Sequence, residues 1–80
     1  MKIKICGITT LADALACAQA GADLLGFNFY PPSPRYLTPE DCAPITAALR
    51  EQYPQLILAG VFVNETGDTI RQIMEQCQLD

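Results

Sequence analysis

Hydrophobic and polar positions along the chain fall into segments that alternate between two spacings. Residues 2–6 (KIKIC) alternate with a period of two, carry two isoleucines and are stopped by Gly7, so they predict a strand. From Thr10 to Ala20 the spacing lengthens. Leu11, Ala14, Leu15 and Ala18 recur on one helical face, with Thr9 or Thr10 as cap, Asp13 in the first turn and Gly21 as the stop. Residues 23–29 (DLLGFNF) are nearly continuous apolar sequence, the pattern of a parallel strand covered on both faces. Residues 30–39 (YPPSPRYLTP) hold four prolines, which lack backbone donors and turn their preceding residues away from helix, so a loop is predicted. Thr38-Pro39-Glu40-Asp41 then reads as cap, first-turn proline and two acids, opening a helix that runs to Gln52, before Pro54. Pro44 inside that helix predicts a kink or a start delayed to near residue 41. Residues 57–63 (ILAGVFV) form a second apolar run, and Ile70, Ile73 and Cys77 give residues 66–77 a helical period.

Strand and helix in threefold alternation, with no linker between them, require a parallel α/β sheet in a single unit. Composition agrees: half of the 80 residues are hydrophobic and 18% are charged, the balance of a globular chain, although one this short buries only a marginal core. The net charge is −4 and the five basic residues lie far apart, which argues against nucleic acid as a partner. No apolar stretch approaches the ~20 residues of a membrane span, so no membrane partner is expected. The four cysteines, at 6, 17, 42 and 77, form no C-x-x-C pair, and histidine is absent, so neither a zinc site nor a thioredoxin-like motif is signalled. The start of the chain has no apolar run of signal-peptide length, which predicts a cytoplasmic protein with reduced thiols.

Parallel α/β sheets gather their chemistry at the carboxyl ends of the strands, which directs attention to Cys6, to Asn28 onward and to Val63-Asn64. Alternation turns Ile3 and Ile5 toward the helices and puts Lys2, Lys4 and Cys6 on the other face. From the residues alone, Cys6 is either a small buried hydrophobe or a thiol at a site, and Cys17, Cys42 and Cys77 read as core or surface. Arg35, alone in the proline-stiffened loop, is either a solvated surface residue or an anion ligand. Asn64 reads as a turn former, and Gly26 and Gly60 as points of close packing.

KICGIT at 4–9, DA at 13–14, GADLLGFNFY at 21–30, SPRYLTPEDCA at 33–43 and GVFVN at 60–64 together resemble the phosphoribosylanthranilate isomerase family of tryptophan biosynthesis. The resemblance covers essentially the whole chain. It implies a TIM (β/α)8 barrel, a phosphosugar–anthranilate substrate, no cofactor and no metal, and an Amadori rearrangement of aminoaldose to aminoketose. By matching KICGIT, Cys6 takes the family's general-base role; by matching S-x-R, Arg35 takes that of holding the anthranilate end of the substrate. The family's general acid and phosphate-binding loops fall beyond Asp80. A complete barrel needs about 200 residues or more, so residues 1–80 are expected to be three βα units of an incomplete barrel domain, an N-terminal fragment inactive alone. Its partner would be the remaining C-terminal part of the barrel. The alternative is a non-catalytic (βα)3 assembly module that pairs with itself or with a complementary half-barrel, and the open sheet edges of the isolated chain predict self-association.

Overall fold

Three threonines start three helices. Thr10, Thr38 and Thr66 each accept a hydrogen bond from the backbone N–H three residues on (Asp13, 3.1 Å; Asp41, 3.1 Å; Thr69, 3.2 Å), satisfying a donor that the helix itself leaves open. In the computed structural model, which describes residues 2–80, the elements are β1 (Lys4–Cys6), α1 (Leu11–Gln19), β2 (Leu24–Asn28), α2 (Pro39–Gln52), β3 (Ile57–Val61) and α3 (Gly67–Gln76). Of the two threonines that could cap α1, Thr10 does so. Helix α2 starts at Pro39, whose fixed φ suits a first turn, so the expected delay to residue 41 does not occur. Pro44 is accommodated within α2 on its exposed side; Glu40, whose carbonyl loses its partner there, is exposed as well and can be hydrated.

All three strands are shorter than the apolar runs suggested, because a strand also needs ladder partners. The Ile3 carbonyl accepts from Asp23 and Leu24 N–H (2.9 and 3.2 Å), but the Ile3 N–H turns to the Asp23 carboxylate at 2.8 Å, so β1 begins at Lys4. The strands lie in the order β1-β2-β3, all parallel, with Lys4 opposite Leu24, Cys6 opposite Gly26, and Gly26 in turn opposite Ala59. Asp80 lies on the outer edge of β3, donating its N–H to the Leu58 carbonyl at 2.8 Å while its carboxylate accepts from Leu58 N–H at 2.8 Å.

The helices cover one face of this sheet. Leu25, Phe27 and Leu58 point into that layer and are fully buried together with Ala14, Cys42, Leu49 and Cys77. Phe29 continues the same face and stacks on Phe62 with centroids 5.3 Å apart. On the other face Gly26 is buried and Leu24 and Asn28 are half-buried, although no helix covers them. Lys4, Cys6, Ile57 and Val61 are exposed on the opposite face, and the uncovered apolar surface comes from β3, since the aromatics of β2 turn to the helices. Asn64 takes φ +53°, the left-handed turn conformation its side chain tolerates.

Candidate active site

β1 ends at Cys6, whose side chain lies on the uncovered face of the sheet and is exposed. The chain then turns through Gly7, at φ +84°, a conformation that L side chains rarely adopt. The turn is held to β2 by the Gly26 carbonyl, which accepts from both Gly7 N–H (3.0 Å) and Ile8 N–H (3.2 Å). The buried Ile8 side chain then ties the segment to the core.

The long loop after β2 is closed on itself by Asn28. Its side-chain oxygen accepts from Tyr30 N–H at 2.8 Å, its carbonyl accepts from Leu37 N–H at 2.9 Å, and its backbone bridges to Tyr36. Ser33 stiffens the bend by accepting from Arg35 N–H at 3.1 Å, and buried Leu37 anchors the returning limb. These constraints send the Arg35 side chain across the sheet end, where Nη1 lies 3.4 Å from the Gly7 carbonyl, a long and weak hydrogen bond. A Cβ built on Gly7 would come within 3.3 Å of the same nitrogen.

Cys6 and Arg35, singled out separately in the sequence, thus meet at one end of the sheet, 29 positions apart in the chain and joined through Gly7. The roles of Gly7 and Asn28 escaped the sequence reading. The only sign of them was their place, one just after the strand-end cysteine and the other just before the proline-rich loop. The remaining cysteines lie elsewhere: Cys17 is half-buried on α1, whereas Cys42 and Cys77 are fully buried against each other, and burial pushes both thiols above their ordinary range. Among the described residues no three His, Cys, Asp or Glu side chains lie close enough to hold a metal ion. A cleft lined by Ala18, Asp23, Gln52 and Tyr53 opens at the other end of the strands, but it brings no convergent polar groups toward Cys6 or Arg35.

The sequence profile of the N-(5′-phosphoribosyl)anthranilate isomerase family matches residues 3–80. Relatives of that name from Syntrophus aciditrophicus and Myxococcus xanthus are 48% and 49% identical over 99% of this chain, which spans 33% and 36% of their lengths. The crystal structure of phosphoribosyl anthranilate isomerase from Thermotoga maritima superposes with a TM-score of 0.93 at 46% identity, covering 99% of this chain and 37% of that one. A further structure of such an isomerase, in complex with reduced 1-(o-carboxyphenylamino)-1-deoxyribulose 5-phosphate, gives the same TM-score at 46% identity, with 99% of this chain and 39% of that one covered. The chain spans about a third of the length of the curated relatives it matches. A (βα)3 sheet with this register, matched by sequence along nearly all its length, is the opening of a TIM barrel, and the chain belongs to the phosphoribosylanthranilate isomerase family.

Proposed function

We propose that residues 1–80 supply the first three βα units of a phosphoribosylanthranilate isomerase, with Cys6 as its general base and Arg35 as the ligand for the anthranilate carboxylate. The observation that carries this reading is the convergence of an exposed thiol and an incompletely paired guanidinium at the carboxyl end of a parallel sheet, where TIM-barrel enzymes keep their chemistry. The reaction opens the ribose ring when an acid protonates the ring oxygen and the bond from C1′ to that oxygen breaks, leaving a protonated Schiff base. The Cys6 thiolate takes the proton from C2′, and its electron pair moves toward the imine nitrogen to give an enolamine. Loss of the hydroxyl proton and protonation at C1′ complete the aminoketose, so no atom is gained or lost. Arg35 pairs with the carboxylate in the manner of a guanidinium fork and orients the substrate over the thiol.

The acid and the phosphate ligands come from strands beyond β3, so the partner of this chain is the rest of its barrel. The uncovered β3 side chains Ile57 and Val61, 38% and 39% exposed, supply the apolar surface that those strands would bury. The test joins residues 1–80 to the last five βα units of the Thermotoga maritima enzyme and follows anthranilate fluorescence. The joined barrel should turn over substrate and the 80-residue chain alone should not. Cys6→Ala in the joined barrel should lose at least ~100-fold in kcat, and activity retained within about tenfold would remove Cys6 as the base.

A further inference from the structure

Gly26 stands mid-strand in β2, where glycine is ordinarily unfavourable because it forfeits side-chain packing and costs backbone entropy. Its φ is not positive, so backbone conformation does not require glycine there. Space does. Gly26 lies directly opposite Cys6 in the β1–β2 ladder, and a Cβ built on it would meet Cys6 Sγ at 2.8 Å, Cys6 Cβ at 3.3 Å and Cys6 Cα at 3.4 Å. The three nearest atoms all belong to Cys6. The same residue's carbonyl holds the Gly7 and Ile8 amides, so Gly26 bounds both the Cys6 side chain and the backbone that follows it.

Resting on the assignment of Cys6 as base, we propose that Gly26 is a positioning residue: the absence of a side chain at 26 is the notch that lets the Cys6 thiol stand where the reaction needs it. A methyl group at 26 drives Sγ out of its staggered well into a neighbouring one, a displacement of about 3 Å for a 120° rotation about the Cα–Cβ bond. Proton transfer tolerates far less, since a misplacement of ~1 Å can cost about 100-fold. Gly26 touches no substrate. It acts through Cys6.

In the joined barrel, Gly26→Ala is expected to lower kcat by about 100-fold while KM stays within about threefold, with kcat referred to the folded fraction measured by circular dichroism, since loss of folded enzyme alone would also lower kcat at constant KM. It should also change the rate at which iodoacetamide alkylates Cys6, measured with Cys17→Ala in place, by at least about threefold, because the sulfur has moved. An unchanged alkylation rate overturns the proposal, as does turnover within about threefold of the parent when Cys6→Ala is inactive. Were Cys6→Ala itself active, the base assignment would fall and the alkylation rate alone would judge Gly26, so the two claims fail separately. If Gly26→Ala does not fold, the same change is made together with Cys6→Ala. Recovered folding traces the clash to the sulfur and supports the notch; persistent misfolding means that Gly26 serves the sheet and overturns it.

Discussion

The two ends of the sheet use the same kinds of side chain to opposite effect. At the amino end, Arg50 donates from Nε and Nη2 to the Gln78 carbonyl, from Nη1 to the Leu56 carbonyl at 3.2 Å, and from Nη2 to the Asp80 carboxylate at 3.0 Å. Asp80 in turn accepts from Leu58 N–H, as Asp23 accepts from Ile3 N–H, so each carboxylate pins the amide of a neighbouring strand. At the carboxyl end, Arg35 makes one side-chain hydrogen bond, at 3.4 Å, and no hydrogen bond of the Cys6 thiol is found among the described residues. One arginine commits four of its five N–H donors to the fold, whereas the other commits one. TIM-barrel sheets in general keep their chemistry at the carboxyl end and stabilising contacts at the amino end.

Exchanging the roles of the two arginines by mutation is the sharpest way to break this comparison. Arg50→Ala removes four hydrogen bonds and leaves the Leu56 and Gln78 carbonyls without their partner, so it should cost about 3 kcal/mol of stability in urea unfolding of the joined barrel, with kcat unchanged under native conditions. A loss of turnover with unchanged stability would reverse the assignment of the two ends.

Arg35→Ala should do the converse. Its single long bond to Gly7 contributes little to folding, so stability should stay within about 0.5 kcal/mol. Substrate binding should weaken by ~1.5–3 kcal/mol, the range for charge-assisted hydrogen bonds, and appear as a raised KM. An unaltered KM and an unaltered kcat/KM would take Arg35 out of the site.

The smallest effect concerns acid. The Leu58 N–H holds the Asp80 carboxyl below its ordinary value; burial, next in size, opposes it, and the hydrogen bond and charge of Arg50 add to the lowering. Because the folded carboxyl gives up its proton more readily than the unfolded one, Asp80 stabilises the fold above the ordinary carboxylate range, and this contribution disappears as the pH falls through the lowered value. Asp80 is about half exposed (48%), so solvent screens much of the Arg50 attraction and the effect is modest. Thermal unfolding followed from pH 6 down to pH 2 should show a shallower acid loss for Asp80→Asn than for the parent; equal slopes would remove Asp80 from the stabilising end.

Helix starts were the most legible part of the chain. Thr38-Pro39-Glu40-Asp41 names its own cap, first turn and dipole partners within four residues, and the structure places each of them as the pattern implied. Strand lengths were less legible, because Val63 is apolar enough for a strand yet lies beyond β3, and the Ile3 N–H bonds a side chain instead of the ladder. The face each strand turns outward was half legible: alternation placed Cys6 opposite Ile5, but the run DLLGFNF gave no sign that Phe27 and Phe29 face the helices while Gly26 and Asn28 face the open side.

By itself, then, the sequence determined the alternation of strand and helix, the Thr38 cap and the family, since all of these are written in neighbouring residues or in motifs read end to end. Which residue lies beside the thiol, where Arg35 reaches and what Arg50 holds were decided only by the tertiary structure. Cys6 and Gly26 stand 20 positions apart, Arg35 and Gly7 stand 28 apart, and Arg50 and Gln78 also stand 28 apart. Their meeting depends on strand register and on how the loops close, which no local preference encodes.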